Sequence, residues 1–152
     1  MKTIKTGQQA PRFDLPMQNG ERLSLDSLLT QGPVVLFFYP AASSGGCTKE
    51  ACHFRDLGAD FEAVGAQRVG ISVDDVAAQK DFADSQSLGY PLLSDTDGEV
   101  AAAYGVKRKY MTPVKRATFV IDSDGTIQDV ITSELNFTLH AEKALAALQP
   151  AS

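Results

Sequence analysis

The distribution of apolar residues along the chain predicts strands and helices in alternation. Residues 34–39 form a continuous apolar run of β-branched and aromatic side chains, typical of a strand buried on both faces. Residues 68–73 form a second run of this kind, and residues 117–121 and 126–132 flank a turn, which predicts a hairpin. Helix formers follow the first two runs. They predict helices over about 47–65 and over 76–87, the second capped by Asp74 or Asp75.

Shorter elements complete the pattern. Residues 1–31 predict an arm with a turn at Asn19-Gly20, followed by one helical turn over 25–29 opened by Ser24 or Asp26. The remaining predicted elements are a brief strand at 92–93, a short helix at 99–104 and a closing helix at 137–148. This order predicts an α/β sandwich of the thioredoxin type, in which a central mixed sheet carries helices on both faces. We expect residues 1–152 to form a single domain.

The first predicted strand leads into the segment that carries the candidate chemistry. Residues 41–46 are a loop of small residues, and Cys47 stands where the helical pattern begins. A thiolate in the first turn of a helix is stabilised by unpaired N–H groups and by the positive end of the helix dipole. We expect Gly45 and Gly46 to let the backbone turn sharply and leave the sulfur accessible, and Ser44 to offer a hydroxyl hydrogen bond. The alternative is that Cys47 is a buried cysteine that packs as a small apolar residue.

A second cysteine lies on the same predicted helix. Cys52 follows Cys47 by five residues, which places the two Cα atoms roughly 8–9 Å apart in an ideal helix. A disulfide needs Cα atoms within about 7 Å. Either the bond never forms, or it forms after the helix unwinds locally. The second possibility suits a catalytic cycle in which one sulfur is oxidised and the other resolves it.

These residues resemble a known family. Pro40, Ser44 and Cys47 match the active-site pattern of the peroxiredoxins, in which Pro is followed after three residues by Thr or Ser and after two more by Cys. The continuation CTKEACHFRD resembles the Q-type peroxiredoxins, also called bacterioferritin comigratory proteins, and KRATFVID resembles the strand that brings the family's arginine to the thiolate. The chain departs from the subfamily at Ser44-Gly45, where Thr-Pro is more frequent. This loop is less pre-organised than one containing proline.

The resemblance implies a thiol-dependent peroxidase for hydrogen peroxide and organic hydroperoxides. Cys47 would attack the O–O bond as a thiolate and become a sulfenic acid. Arg116 would keep Cys47 ionised and, with the Ser44 hydroxyl and backbone N–H groups near Gly46, stabilise the departing oxygen. The alternative for Arg116 is a surface salt bridge.

The family match assigns three further residues. Pro40 ends the predicted strand, because it cannot donate a ladder hydrogen bond, and in the family it also shields the sulfur from water. Glu50 matches a glutamate that orients the arginine, although a helix-surface carboxylate is an alternative. Cys52 would close an intramolecular disulfide, and an external dithiol protein of the thioredoxin type would reset it. This cycle needs no bound cofactor.

Composition and charge narrow the choice of partners. The net charge of −5, from 14 basic and 19 acidic residues, argues against a nucleic-acid or anionic membrane surface. No segment approaches the ~18 apolar residues of a membrane span, and residues 1–11 lack the apolar core of a signal peptide. We therefore expect a cytoplasmic protein, and the Q-type resemblance implies a monomer. A metal site is disfavoured, because Cys-x-x-Cys spacing is missing and only His53 and His140 could complete a ligand set.

Two other functions use the same predicted fold. A thiol–disulfide oxidoreductase would carry a Cys-x-x-Cys pair at the start of the helix, which this sequence lacks. A non-catalytic binding module or holdase would contain a thiol with no fast reaction with peroxide. The sequence favours the peroxidase over both.

Overall fold

The computed structural model describes residues 3–108, 113–133 and 136–148, and these ranges contain seven strands and six helices. The strands are β1 (Asp14–Pro16), β2 (Arg22–Ser24), β3 (Val34–Phe38), β4 (Gln67–Ser72), β5 (Leu92–Ser94), β6 (Ala117–Ile121) and β7 (Ile127–Thr132). The helices are α1 (Leu25–Leu29), α2 (Gly45–Asp56), α3 (Gly58–Ala63), α4 (Val76–Gln86), α5 (Glu99–Ala103) and α6 (Leu139–Leu148).

Five of the strands form one mixed sheet in the order β5-β4-β3-β6-β7. β3 runs parallel to β4, and β4 runs parallel to β5. β6 is antiparallel to both β3 and β7. β1 and β2 form a separate antiparallel hairpin around the predicted Asn19-Gly20 turn. The predicted fold class, a mixed sheet with helices on both faces, is confirmed.

The side chains of the central strand β3 contribute to the hydrophobic core on each face of the sheet. All five of its residues are buried, as its continuous apolar run predicts. Successive side chains of a strand point to opposite faces, so alternate residues of this run pack into two different cores. One core contains Val34, Leu36 and Phe38 together with residues of α1 and α5. The other contains Val35, Phe37 and Tyr39 together with residues of α2, α3, α4 and α6.

Local capping signals in the sequence fix several helix starts. The Ser24 hydroxyl oxygen accepts a hydrogen bond from the backbone N–H of Ser27, and α1 begins directly after Ser24. Asp75 accepts from the backbone N–H of Ala78 at 2.8 Å, which makes Asp75 and not Asp74 the cap of α4. These bonds satisfy N–H groups that have no partner within the helix.

The prediction of one helix over 47–65 is wrong. α2 begins two residues earlier, at Gly45, and ends at Asp56, and α3 is a separate helix from Gly58. Arg68, on β4, donates from Nη1 to the carbonyl of Phe54 at 2.9 Å and so binds the end of α2. A Cβ atom at Gly58 would lie 2.9 Å from that same nitrogen. The break therefore depends on a residue from a distant strand, which local propensity does not reveal.

No helix within the described ranges combines the length and the apolar character needed to cross a membrane.

Candidate active site

Cys47 is the third residue of α2 and lies in its first turn, as predicted. The chain reaches it from the end of β3 through residues 39–44, and Ser44 is the N-cap. The residue is only 1% exposed, so the expectation of an accessible sulfur is wrong for this conformation. The reduced thiol is instead enclosed among side chains from several elements.

The turn before α2 is made differently from the prediction. Gly45 and Gly46 belong to the helix, and the left-handed backbone conformation lies at Ser43, with φ of 63°. Glycine is needed at position 46 because neighbouring side chains leave no space for a Cβ atom. A Cβ atom there would lie 2.7 Å from the ring of Phe137 and 3.3 Å from Nη2 of Arg116. The missing side chain lets these two groups close over the first turn beside the sulfur.

The carboxylate of Asp74, two residues beyond the end of β4, binds the loop that leads to Cys47. Asp74 Oδ2 accepts from the backbone N–H of Ala42 at 2.7 Å and from the Ser72 hydroxyl at 2.6 Å. β3 and β4 are parallel, so the loops that leave their carboxyl ends meet at one edge of the sheet. The position of Asp74 directly after a predicted apolar strand is the available signal in the sequence, and the structure gives Asp74 this role in place of the predicted alternative of a helix cap.

Pro40 and Ser44 both lie in this loop, with different surroundings. Pro40 is buried and directly follows Tyr39, whose backbone N–H makes a last ladder bond to the Ile71 carbonyl at 3.1 Å. The Ser44 hydroxyl donates to the carbonyl of Ala41 at 3.0 Å. A hydroxyl has one hydrogen to donate, so in this conformation Ser44 does not donate to the Cys47 sulfur.

Arg116 connects Cys47 with Glu50. Its Nη2 lies 3.4 Å from the Cys47 Sγ, and its Nη1 donates to Glu50 Oε1 at 2.9 Å. Arg116 is 5% exposed and Glu50 is fully buried, so the surface alternatives for both residues are wrong. Burial alone would lower the pKa of Arg116, but the charges of Glu50 and Cys47 outweigh it and raise that pKa. The guanidinium therefore presents a permanent positive charge to the sulfur.

The sheet topology explains how residues 69 positions apart meet. β6 is antiparallel to β3, and its first residue, Ala117, pairs with Phe38 at the end of β3. Arg116 directly precedes β6, so it lies at the edge where β3 gives way to α2. Cys47 and Glu50 are three residues apart on that helix and face the same side.

Sequence reasoning missed a buried polar group behind Glu50. His140, on α6, is fully buried. Its Nε2 donates to the Ser133 carbonyl at 2.8 Å, and its Nδ1 lies 2.8 Å from Thr118 Oγ1 and 3.6 Å from Glu50 Oε2. The signal in the sequence is a histidine among the apolar residues of the closing helix, a position that the metal-ligand interpretation does not explain.

Phe137 was also missed as a site residue. Its ring lies over the guanidinium of Arg116, with 4.8 Å between Cζ of the arginine and the ring centroid. Such a contact is favourable for a cation. The ring also shields the guanidinium on the side that Gly46 leaves open. The predicted closing helix over 137–148 includes Phe137, but α6 begins at Leu139 and Phe137 precedes it. Neither position gives a local sign of this contact.

Cys52 lies on α2 with Cys47, and both cysteines are free. The helix is continuous between them, which is the arrangement in which the sequence predicts that no disulfide forms. Cys52 is partly buried, and its thiol donates to Gln86 Oε1, with Sγ 3.4 Å from that oxygen. It therefore faces the end of α4 and not the sulfur of Cys47.

The histidines considered for a metal site lie in separate surroundings. His53 Nε2 is 3.3 Å from Glu142 Oε1 on α6, whereas His140 is enclosed behind Glu50. Within the part of the chain that the structure describes, no three His, Cys, Asp or Glu residues are grouped so that they could hold a metal ion.

The arrangement suits chemistry at a thiolate. A buried sulfur, a fixed cation at 3.4 Å and the N–H groups of a helix start together stabilise negative charge. The same donors can stabilise the charge that develops on an oxygen leaving the sulfur's target. A second thiol lies on the same helix.

Comparisons with known proteins agree with this chemistry. Residues 6–130 match the AhpC/TSA family. The chain is 56% identical over 149 residues to a putative peroxiredoxin of Mycobacterium tuberculosis, with 96% of this chain and 97% of the relative covered. The crystal structure of peroxidoxin BcpB from M. tuberculosis superposes with a TM-score of 0.92 at 56% identity, covering 95% of this chain and 96% of that one. Peroxiredoxin Q of Xanthomonas campestris gives a TM-score of 0.83 at 29% identity, covering 90% and 89%. From its sequence, its fold and the surroundings of Cys47, the chain belongs to the AhpC/TSA family and is a Q-type peroxiredoxin, a thiol-dependent peroxidase.

Proposed function

We propose that Cys47 is the cysteine that reacts with the hydroperoxide. Its thiolate attacks one oxygen of the O–O bond, an S–O bond forms, and the other oxygen leaves and takes a proton to become water or an alcohol. The sulfur loses two electrons and the peroxide gains them. The observation that carries this assignment is the contact of 3.4 Å between Arg116 Nη2 and the Cys47 Sγ in the first turn of α2.

Arg116 and Glu50 act together in this proposal. Arg116 stabilises the thiolate and then the charge on the departing oxygen, since a guanidinium remains charged at all relevant pH values. Glu50 orients the guanidinium through its ion pair of 2.9 Å. Pro40 shields the sulfur from water. Ser44 acts in substrate binding only if its hydroxyl turns from the Ala41 carbonyl towards the bound peroxide.

Cys52 is the proposed resolving cysteine. Its sulfur attacks the sulfur of the Cys47 sulfenic acid, the S–S bond forms, and the S–O bond breaks with release of water. Because both cysteines lie on the continuous helix α2, this step requires that the helix unwind locally.

A dithiol protein of the thioredoxin type is the proposed reductant. One of its thiols attacks the disulfide, its second thiol completes the exchange, and both cysteines of this chain return as thiols. Electrons thus pass only through sulfur, and no bound cofactor is required. Since both cysteines lie on one chain, a monomer is sufficient, and the need for a reducing partner favours the cytoplasm.

The proposed substrates are hydrogen peroxide and organic hydroperoxides. The reacting unit is the same O–O bond in both classes, and the donors around Cys47 act on the oxygens of that bond and not on the attached organic group.

Replacing each cysteine by serine tests the two assignments separately. We expect Cys47→Ser to abolish peroxidase turnover with a thioredoxin-type reductant. With one equivalent of peroxide per chain, we expect Cys52→Ser to stop at the Cys47 sulfenic acid, because no intramolecular disulfide can form and recycling by thioredoxin is blocked. A Cys47→Ser protein that retains full turnover would refute the assignment of Cys47. Turnover of Cys52→Ser with thioredoxin at the unmodified rate would refute the role of Cys52.

A further inference from the structure

The step that joins the two cysteines depends on what holds the second half of α2 in place. Cys47 and Cys52 lie in separate turns of α2, with Cα atoms roughly 8–9 Å apart by helix geometry. A disulfide needs a distance of about 7 Å or less between the two Cα atoms. The contacts that keep residues 51–56 helical therefore oppose disulfide formation, and each of them has to be broken or carried along when Cys52 moves.

Side chains from outside the helix contact this half of α2 at several points, among them Glu142 of α6, which lies 3.3 Å from His53 Nε2. The Tyr90 hydroxyl donates to the carbonyl of Ala51 at 2.7 Å. Arg68 Nη1 donates to the carbonyl of Phe54 at 2.9 Å. Gln86 accepts from the thiol of Cys52 itself. The Tyr90 bond lies one residue before Cys52, between the two cysteines, where the helix has to open.

Tyr90 is fixed in place by its own surroundings. It is 5% exposed, its ring meets that of Phe37 edge-on with 5.9 Å between centroids, and the guanidinium of Arg68 lies 5.0 Å over the ring. Burial raises the pKa of Tyr90 far above its ordinary value, so the hydroxyl stays protonated and remains a donor. A rigid buried donor of this kind cannot readily follow the backbone as it unwinds.

We propose that Tyr90 is a positioning residue for the resolving step. Its hydrogen bond to Ala51 holds α2 folded and thereby sets how often Cys52 is released to reach the sulfenic acid of Cys47. This inference rests on the proposed roles of the two cysteines. The folded helix is the form in which Arg116 contacts Cys47, and the bond slows the step for which this form has to open, the reaction with Cys52.

The bond also affects a competing reaction. A sulfenic acid that waits for Cys52 can react with a second peroxide, which transfers one oxygen to the sulfur, gives a sulfinic acid and leaves as water or an alcohol. The fraction lost in this way depends on the ratio of the two rates. A weaker hydrogen bond to Ala51 accelerates disulfide formation and so reduces the loss of Cys47 to sulfinic acid at high peroxide.

Tyr90→Phe is the direct test, because it removes the hydroxyl and keeps the ring contacts with Phe37 and Arg68. The matched control is Tyr104→Phe. Tyr104 is another buried tyrosine. Its hydroxyl donates to the Pro11 carbonyl at 2.9 Å, in the core on the opposite face of the sheet from α2. Rapid mixing with hydrogen peroxide separates sulfenic acid formation from disulfide formation, and mass spectrometry counts the sulfinic acid formed at high peroxide.

For Tyr90→Phe we expect disulfide formation to be about 2- to 10-fold faster, the range that corresponds to the loss of one hydrogen bond. Sulfinic acid formation should fall by a similar factor, and amide exchange of residues 51–56 should rise. The rate constant of the first step should remain within about twofold, and Tyr104→Phe should change neither step.

A Tyr90→Phe protein with unchanged disulfide formation, or with a change matched by Tyr104→Phe, would overturn the proposal. A selective loss in the first step would also overturn it, because Tyr90 would then act on the Cys47 site. If the unmodified protein forms no bond between Cys47 and Cys52, the proposed resolving role of Cys52 is what fails.

Discussion

At the scale of single residues, Arg116 contacts two different groups with its two terminal nitrogens. One nitrogen meets the Glu50 carboxylate and the other meets the Cys47 sulfur. The planar, forked guanidinium can make both contacts at once, whereas the ammonium of lysine is a single point on a flexible stem. Both the charge and the shape of the side chain are therefore required.

Arg116→Lys keeps the charge and loses one of the two contacts. We expect the rate constant for oxidation of Cys47 by hydrogen peroxide to fall about 10²-fold, the cost typical of removing one donor from an anion-stabilising site. Stopped-flow measurement of the reduced protein gives this constant. Arg12→Lys is the control, because Arg12 is a partly exposed arginine paired with Asp26 outside the site. A fall of less than threefold for Arg116→Lys would show that positive charge alone is sufficient.

The two glycines before Cys47 give a matched pair of substitutions. A Cβ at Gly46 would lie 2.7 Å from the Phe137 ring, whereas a Cβ at Gly45 meets nothing within 4 Å. We expect Gly46→Ala to displace Phe137 from Arg116 and to lower the rate of Cys47 oxidation about 10-fold, a loss comparable to that of one favourable contact of a desolvated cation. We expect Gly45→Ala to leave that rate unchanged, with equal or slightly higher thermal stability. Equal rates in the two variants would contradict the role we give Gly46.

At the scale of elements, the helices and strands that depend on local sequence could be predicted. The apolar runs at β3, β4 and β6 could be read directly from the sequence. For the caps of α1 and α4 the sequence left two candidates each, and the structure identifies Ser24 and Asp75. The break between α2 and α3 could not be predicted, because it depends on Arg68 from a distant strand. The residues of the site likewise divide into those that the sequence predicts and those that only the folded structure reveals. The helix-start position of Cys47 follows from the pattern, Arg116 and Glu50 came from the family resemblance, and Phe137, Thr118 and His140 act through contacts that only the folded chain creates.

Asp95 lies between β5 and α5. Its carboxylate is expected to make the free energy of unfolding depend on pH. Its carboxylate accepts from the backbone N–H groups of Val100 and Ala101 at 3.2 and 2.9 Å. Burial raises the pKa of Asp95, although the two backbone hydrogen bonds oppose this shift. A raised pKa in the folded state means that folding favours the protonated form.

Asp95→Asn tests this linkage, because the amide is neutral at every pH. The contribution of Asp95 is fully present below its unfolded pKa, about 3.9, and is lost as pH rises through the folded pKa. We therefore expect the free energy of unfolding of the unmodified protein, minus that of Asp95→Asn, to fall as pH rises from acid and then to level off. Urea unfolding across this range gives the difference. A difference that grows with pH would mean that the two hydrogen bonds outweigh burial.

At the scale of the whole molecule, the sheet order brings the site together. The antiparallel β6 places Arg116 beside the end of β3, and the parallel β4 places Asp74 under the loop that leads to Cys47. The helix that carries Cys47 also carries Cys52. In the proposed cycle, the first chemical step therefore takes place while α2 is folded, and the second needs α2 to open. That all residues form a single domain, as the sequence suggests, stays a prediction.

The most direct test mixes the fully reduced protein with one equivalent of hydrogen peroxide and follows it by stopped flow, intact mass and free-thiol counting. We expect both thiols to disappear for each peroxide consumed. The product should be a monomer lighter by two hydrogen atoms, and peptide mapping should join Cys47 to Cys52. Thiols that react no faster than free cysteine would contradict the activation of Cys47 by Arg116 and the start of α2. A product joined only between chains would contradict the local opening of that helix.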